Sequence, residues 1–190
     1  IALSQQVRIL GSARLLFHGI PGSGKSAFAR AMAKAIDRPL IPKQACDLLS
    51  PYLGETEQNI RKVFELAKRE SGVLLIDEVD SFLQSRERAV RSWEVTQVNE
   101  FLTQLERFEG IVVCTTNFIA HLDAAAMRRF DFKIEFRPLR IEQCEALFRQ
   151  LCFRLDVDMD SLESHEAMRQ LKSISTMTPG DFATVARQIR

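Results

Sequence analysis

Gly19-Ile20-Pro21-Gly22-Ser23-Gly24-Lys25-Ser26 decides the fold, because it meets the pattern G-x-x-x-x-G-K-[ST] at every specified position. Leu15-Leu16-Phe17 precedes it as an apolar run that reads as a strand. A helical pattern follows, with Ala27, Phe28, Ala31, Met32, Ala35 and Ile36 as its expected apolar face. The pattern requires a strand before it and a helix after it, and the flanking sequence supplies both. Its glycines let backbone N–H groups curl around phosphate oxygens, and the helix start adds partial positive charge. We therefore expect Gly19, Pro21, Gly22, Ser23, Gly24, Lys25, Ser26 and Ala27 to cradle the phosphates of a nucleoside triphosphate. In that arrangement Lys25 reaches the β- and γ-phosphates, and the Ser26 hydroxyl holds Mg²⁺. A plain glycine-rich turn is the alternative, and the complete match disfavours it.

The 190 residues carry a formal net charge of +1 and are 46% hydrophobic. This balance lacks the global basic field that nucleic-acid binders display, so nucleic acid is not the expected partner. Cys46, Cys114, Cys144 and Cys152 form no C-x-x-C pair and no zinc spacing, which reads as free thiols in a reducing, cytoplasmic compartment. No apolar run reaches membrane-spanning length, and no signal peptide is visible. Ile1 stands where methionine would open a complete chain, and Arg190 falls within a helical pattern, so flanking sequence is expected.

Short apolar runs alternate with helical patterns, the signature of a parallel sheet with crossover helices. Strands are expected at Arg14 to His18, Leu40-Ile41, Val73 to Ile76, Ile111 to Thr115 and Phe132 to Phe136. Helices are expected from Thr56 to Glu70, on Ile60, Val63, Phe64 and Ala67, and from Ser92 to Phe108, on Val95, Val98, Leu102 and Leu105. The alternation stops at Pro138. Ile141 to Leu155 and Leu162 to Ile174 then read as helices, and a last one starts with Thr178 as N-cap and Pro179 in its first turn.

Val73-Leu74-Leu75-Ile76-Asp77-Glu78 is an apolar strand that ends in two acids. Buried strands rarely end so without a cation to hold. Asp77 is placed for the Mg²⁺ shell, and Glu78 to polarise a water for attack on a γ-phosphate. A solvated turn competes with this reading, and the phosphate loop tips the balance. Asp80 suits a helix cap better than a second metal ligand. The strand from Ile111 leads into Thr116-Asn117. An amide there could orient the attacking water; taken alone, turn geometry explains the asparagine better.

The phosphate loop, Asp77-Glu78, Asn117 and Leu122-Asp123-Ala124-Ala125-Ala126-Met127-Arg128-Arg129-Phe130-Asp131 together resemble an AAA+ ATPase of the AAA family proper. The likeness is to a single AAA module of bacterial type, similar to the central domain of protein-remodelling ATPases, and it spans nearly the whole chain. It implies a five-stranded parallel P-loop NTPase sheet flanked by helices in residues 1–137, and a small all-helical lid in residues 138–190. It implies ATP and Mg²⁺ as cofactors and Asn117 as the family's sensor 1. It also implies that an arginine after the L-D-x-A segment enters a neighbouring subunit's site. Family members usually separate two such arginines by a Pro-Gly-like pair, whereas Arg128 and Arg129 are adjacent. Both stay open as the finger, with Arg128 preferred by its distance from Asp123.

Ser50-Pro51-Tyr52-Leu53-Gly54-Glu55-Thr56-Glu57 resembles the family's first pore loop, in which Tyr52, Leu53 and Gly54 would grip polypeptide. A hydrophobic staple or a core tyrosine is the plain alternative. At the last helix, Pro179-Gly180-Asp181 is closer to the Gly-Ala pattern of the AAA family proper than to a sensor 2 arginine. Gly180 is expected to let backbone approach the adenine, Asp181 to cap the helix, and Arg187 to be a solvated charge, with a sensor role as its alternative. The resemblance thus implies an ATP-hydrolysing homo-oligomeric ring, a hexamer, that remodels or threads a protein substrate. A nucleotide-switched recruitment module with slow hydrolysis and a DNA-acting loader are the alternatives. A small-molecule kinase fits least, because Glu78 and the arginines suit water activation.

Overall fold

Val73, Leu74, Leu75 and Ile76 are all fully buried. An unbroken apolar run of this kind belongs to a parallel strand covered on both faces. The computed structural model describes residues 2–81, 83, 92–157 and 162–189; Ile1, Arg190 and the side chain of Val95 lie outside that set. Helix α1 (Ala2–Leu10) leads into β1 (Ala13–Gly19), the phosphate loop and α2 (Lys25–Ala35). Strand β2 (Leu40–Gln44) and a 3₁₀ turn precede α3 (Glu55–Arg69), β3 (Val73–Asp77) and the 3₁₀ turn Val79–Ser81. Then come α4 (Ser92–Arg107), β4 (Ile111–Thr116), the one-turn helix α5 (Ala124–Met127) and β5 (Phe132–Phe136). Helices α6 (Ile141–Arg154), α7 (Leu162–Ser173) and α8 (Pro179–Gln188) complete the order.

The five strands run β2-β3-β4-β1-β5 across one sheet. Leu15 pairs with Val113, and Ile76 with Cys114, in parallel register. After β1 the chain leaves towards the β2 edge, whereas after β4 it leaves towards the β5 edge. Such a reversal opens a crevice beyond the carboxyl ends of β1 and β4, where α/β sheets bind their ligands. Phe64, Phe101 and Phe108 form two edge-to-face pairs in the core beneath α3 and α4. Those helices are also clamped by Arg61, whose Nε and Nη2 donate to both carboxylate oxygens of Glu100 at 2.7 and 3.2 Å.

Two sequence expectations need correction. The buried face of α2 is Lys25, Ala29, Met32 and Ala33, continued by Ile36, while Ala27, Ala31 and Ala35 are exposed and Phe28 is 37% exposed. Helix α1 was not expected from the sequence, and it seats Val7 in the core while leaving Ile9 and Leu10 exposed. The expected strands and the other helices are present, with ends that differ by at most three residues.

The chain divides into two compact units, residues 1–19 with 25–135, and residues 20–24 with 136–190. In the second unit Cys144, Leu171 and Phe182 pack with Leu147, Phe148 and Leu151. Its last helix begins as expected. Asp181 accepts hydrogen bonds from the Thr178 amide and hydroxyl, both at 2.8 Å. Arg187 donates to the Thr184 hydroxyl on the exposed side of the same helix.

Candidate functional site

The phosphate loop holds its shape by local bonds. Gly22 and Gly24 adopt φ of 75° and 94°, which side chains resist. The Ser23 hydroxyl donates to the Ile20 carbonyl at 2.7 Å and is buried, while Pro21 and Gly22 are exposed. Ala27 sits exposed in the first turn of α2. In the second unit, the Gly180 amide donates to the Gly22 carbonyl at 2.9 Å. A Cβ on Gly180 would lie 2.9 Å from the Gly22 Cα, so its glycine answers to this contact. The neighbour that Gly180 approaches is thus the loop itself.

The ends of β3 and β4 gather the polar side chains. Lys25, buried at the start of α2, donates to the Gly19 carbonyl and to Oδ1 of Asn117, both at 2.8 Å. Burial pushes its ammonium below the usual lysine range, against the opposing pull of the Asp77, Asp80 and Glu78 charges. Ser26 Oγ donates to Asp77 Oδ1 at 2.8 Å. Thr115 Oγ1 donates to the same Asp77 oxygen at 2.8 Å and accepts the Glu78 amide at 3.2 Å. Glu78 is exposed and has φ of 61°, a left-handed backbone that non-glycine residues seldom hold. Lys25, Ser26, Asp77, Glu78 and Asn117 thus meet as the sequence indicated. Thr115 was missed, since a threonine in an apolar strand carries no motif. Asp80 lies inside the 3₁₀ turn Val79–Ser81, and its buried Oδ1 has no hydrogen-bond partner among the described residues.

The donor set suits Mg²⁺. A hydroxyl and a carboxylate oxygen stand side by side at Ser26 and Asp77, and hard oxygen ligands of this kind are what that ion takes.

The two arginines differ. Asp123 caps the start of α5 by accepting from the Ala125 and Ala126 amides, and Arg128 stands at the other end of that one-turn helix. Arg129 is bound in place: its Nε lies 2.5 Å from Glu106 Oε1, and Nη1 donates to the Ala125 carbonyl at 2.6 Å. Arg128, whose backbone N–H donates to the Ala126 carbonyl, is exposed, and its side chain makes no hydrogen bond or ion pair among the described residues.

The tip before α3 is projected outward, with Tyr52 70% and Leu53 87% exposed, so neither is a core or staple residue. Its base is fastened. The Ser50 amide donates to Thr56 Oγ1 at 2.9 Å, the Ser50 hydroxyl to Glu55 at 2.6 Å, and the Tyr52 amide to the Ser50 hydroxyl at 3.2 Å. Gly54, with φ of 84°, makes the turn into the helix.

Strand order, phosphate loop and strand-end acids define a P-loop NTPase fold. Residues 15–138 match the ATPase family associated with various cellular activities (AAA), and the chain belongs to that family. It is 33% identical over 171 residues to a Cell division cycle protein 48 homolog of Archaeoglobus fulgidus, covering 84% of this chain and 23% of the relative. It is 32% identical over 179 residues to Spastin of Drosophila erecta, covering 90% of this chain and 23% of that protein. The FIGL-1 AAA domain, solved in complex with ADP, shares the fold with a TM-score of 0.73 at 24% identity, over 93% of this chain and 59% of that one. The chain spans between 17% and 49% of the curated relatives it matches first. Among the described residues, no helix is long and apolar enough to cross a membrane.

Proposed function

We propose that this chain hydrolyses ATP and does so as a ring, in which Arg128 of one copy completes the site of the next. The observation that carries this reading is the contrast between the two arginines. Arg129 is consumed by Glu106 and Ala125 of its own chain, and Arg128 stands exposed beside it. A guanidinium held out at a helix end is suited to neutralise charge on a phosphoryl group in trans.

Within one copy the roles divide by position. The loop Gly19 to Ser26 binds phosphate through its amides, with Lys25 and Ala27 at the helix start. Glu78 holds a water for attack and takes its proton. Asn117, fixed on Lys25 in this structure, orients that water as the ammonium turns to phosphate. Ser26 and Asp77 would hold Mg²⁺, which when bound neutralises phosphate charge and orients the leaving group. Residues 1–137 form the core and 138–190 the lid in this reading. Tyr52, Leu53 and Gly54 are the contact for an unfolded polypeptide segment, since an exposed aromatic packs against any passing chain. The assembly is proposed to be a cytoplasmic hexamer that remodels or threads protein.

The test is ATPase activity per chain against protein concentration, with Glu78→Gln as the blank. Specific activity that climbs steeply with concentration is expected. Flat activity at a useful rate would remove Arg128 from the site, and turnover in the Glu78→Gln blank would remove Glu78 from the base role.

A further inference from the structure

The end of β4 touches both acids through Thr115. Thr115 is 3% exposed, and its hydroxyl makes two bonds with different partners. As a donor it fixes Oδ1 of Asp77 at 2.8 Å, and as an acceptor it takes the Glu78 amide at 3.2 Å. Register brings this about. Ile76 pairs with Cys114, so the next step along both strands sets Asp77 beside Thr115.

We propose that Thr115 is a positioning residue for hydrolysis, acting on Asp77 and Glu78 together; the proposal rests on the ATPase reading above. The two partners need fixing for separate reasons. Asp77 Oδ1 already accepts the Ser26 hydroxyl at 2.8 Å, and a second donor locks the carboxylate against rotation beside that ligand. Glu78 stands at φ of 61°, a backbone state that persists only where the surroundings over-determine it. The bond to its amide supplies part of that constraint, at the residue whose side chain must hold the water. Removing the hydroxyl takes an acceptor from the part-buried Glu78 amide and a donor from the Asp77 carboxylate. Packing of the β-branched side chain in a buried strand is the competing reason for a threonine, and valine preserves it.

The experiment uses the full-length chain with Thr115→Val and Thr115→Ser. Thr115→Val keeps the shape and loses both bonds, so kcat falls about ten- to a hundredfold while KM for ATP stays within about threefold, as for a misplaced catalytic group. Thr115→Ser keeps the hydroxyl and retains most of the turnover. A second readout is independent of hydrolysis: the Mg²⁺ concentration that half-saturates its effect on fluorescent ADP binding. It rises several-fold in Thr115→Val and not in Thr115→Ser. Wild-type behaviour of Thr115→Val in both readouts overturns the proposal. So does an equal loss in Thr115→Ser, which would assign the residue to packing. Were the unmodified chain to bind nucleotide without turning it over, hydrolysis would be the reading that failed, and the Mg²⁺ titration would still decide Thr115.

Discussion

Gly180 and Gly22 meet backbone to backbone, with the Gly180 amide donating to the Gly22 carbonyl at 2.9 Å. Gly180 leaves room for the Gly22 backbone, and Gly22 for the Thr178 side chain. A Cβ on Gly22 would fall 2.9 Å from Thr178 Oγ1, and one on Gly180 would fall 2.9 Å from the Gly22 Cα and 3.2 Å from its carbonyl oxygen. Backbone atoms cannot swing aside as a side-chain end can.

Gly180→Ala is therefore expected to displace the phosphate loop. Overpacking of this kind costs about 1–3 kcal/mol. Fluorescent ADP should bind about tenfold more weakly, a change of roughly 1.4 kcal/mol, with a lower Tm. Unchanged affinity and Tm would show that the contact yields without cost.

Arg129 and Glu106 predict a stability effect separate from catalysis. The side chains are 30% and 48% exposed, so a double-mutant cycle of Arg129→Ala and Glu106→Ala should give a coupling of about 0.2–1 kcal/mol. Arg128→Ala should leave stability within about 0.5 kcal/mol, as exposed substitutions do. It should lower turnover by ~10³-fold or more at unchanged nucleotide affinity. A turnover loss confined to Arg129→Ala would exchange the two assignments.

Glu78 predicts opposite signs for stability and activity. Glycine occupies φ of 61° without the strain a glutamate bears, about 1–2 kcal/mol for a left-handed residue. Glu78→Gly should raise Tm by about 2–4 °C per kcal/mol relieved, and abolish hydrolysis. Thermal melting beside a turnover assay checks both. A fall in Tm would mean that side-chain contacts of Glu78 outweigh its backbone strain.

The sequence was legible where chemistry demands a fixed local pattern. Lys25 and Ser26 follow from the glycine spacing, and Asp77-Glu78 from an apolar run that ends in charge. It was less legible where tertiary register decides. Thr115 meets Asp77 because β3 and β4 are paired as Ile76 with Cys114, and no local signal announces that. The face of α2 was misread because alanines fill several overlapping i, i+4 stripes, and packing alone selects Ala29 and Ala33 over Ala27 and Ala31. Gly180 was recognised as a position for close approach, but its neighbour lies more than 150 residues earlier in the chain, at Gly22.

The fastened tip has a mechanical consequence. A pull on Tyr52 or Leu53 is not absorbed by slack, because Ser50 ties the segment to Glu55 and Thr56 in the first turn of α3. Load on the tip, in the proposed function, would pass along α3 to the Arg61–Glu100 clamp and so into α4. Glu106, six residues further along α4, grips Arg129 next to Arg128. In the proposed ring, a pull at the tip would thus reach the exposed Arg128 through two helices and two ion pairs.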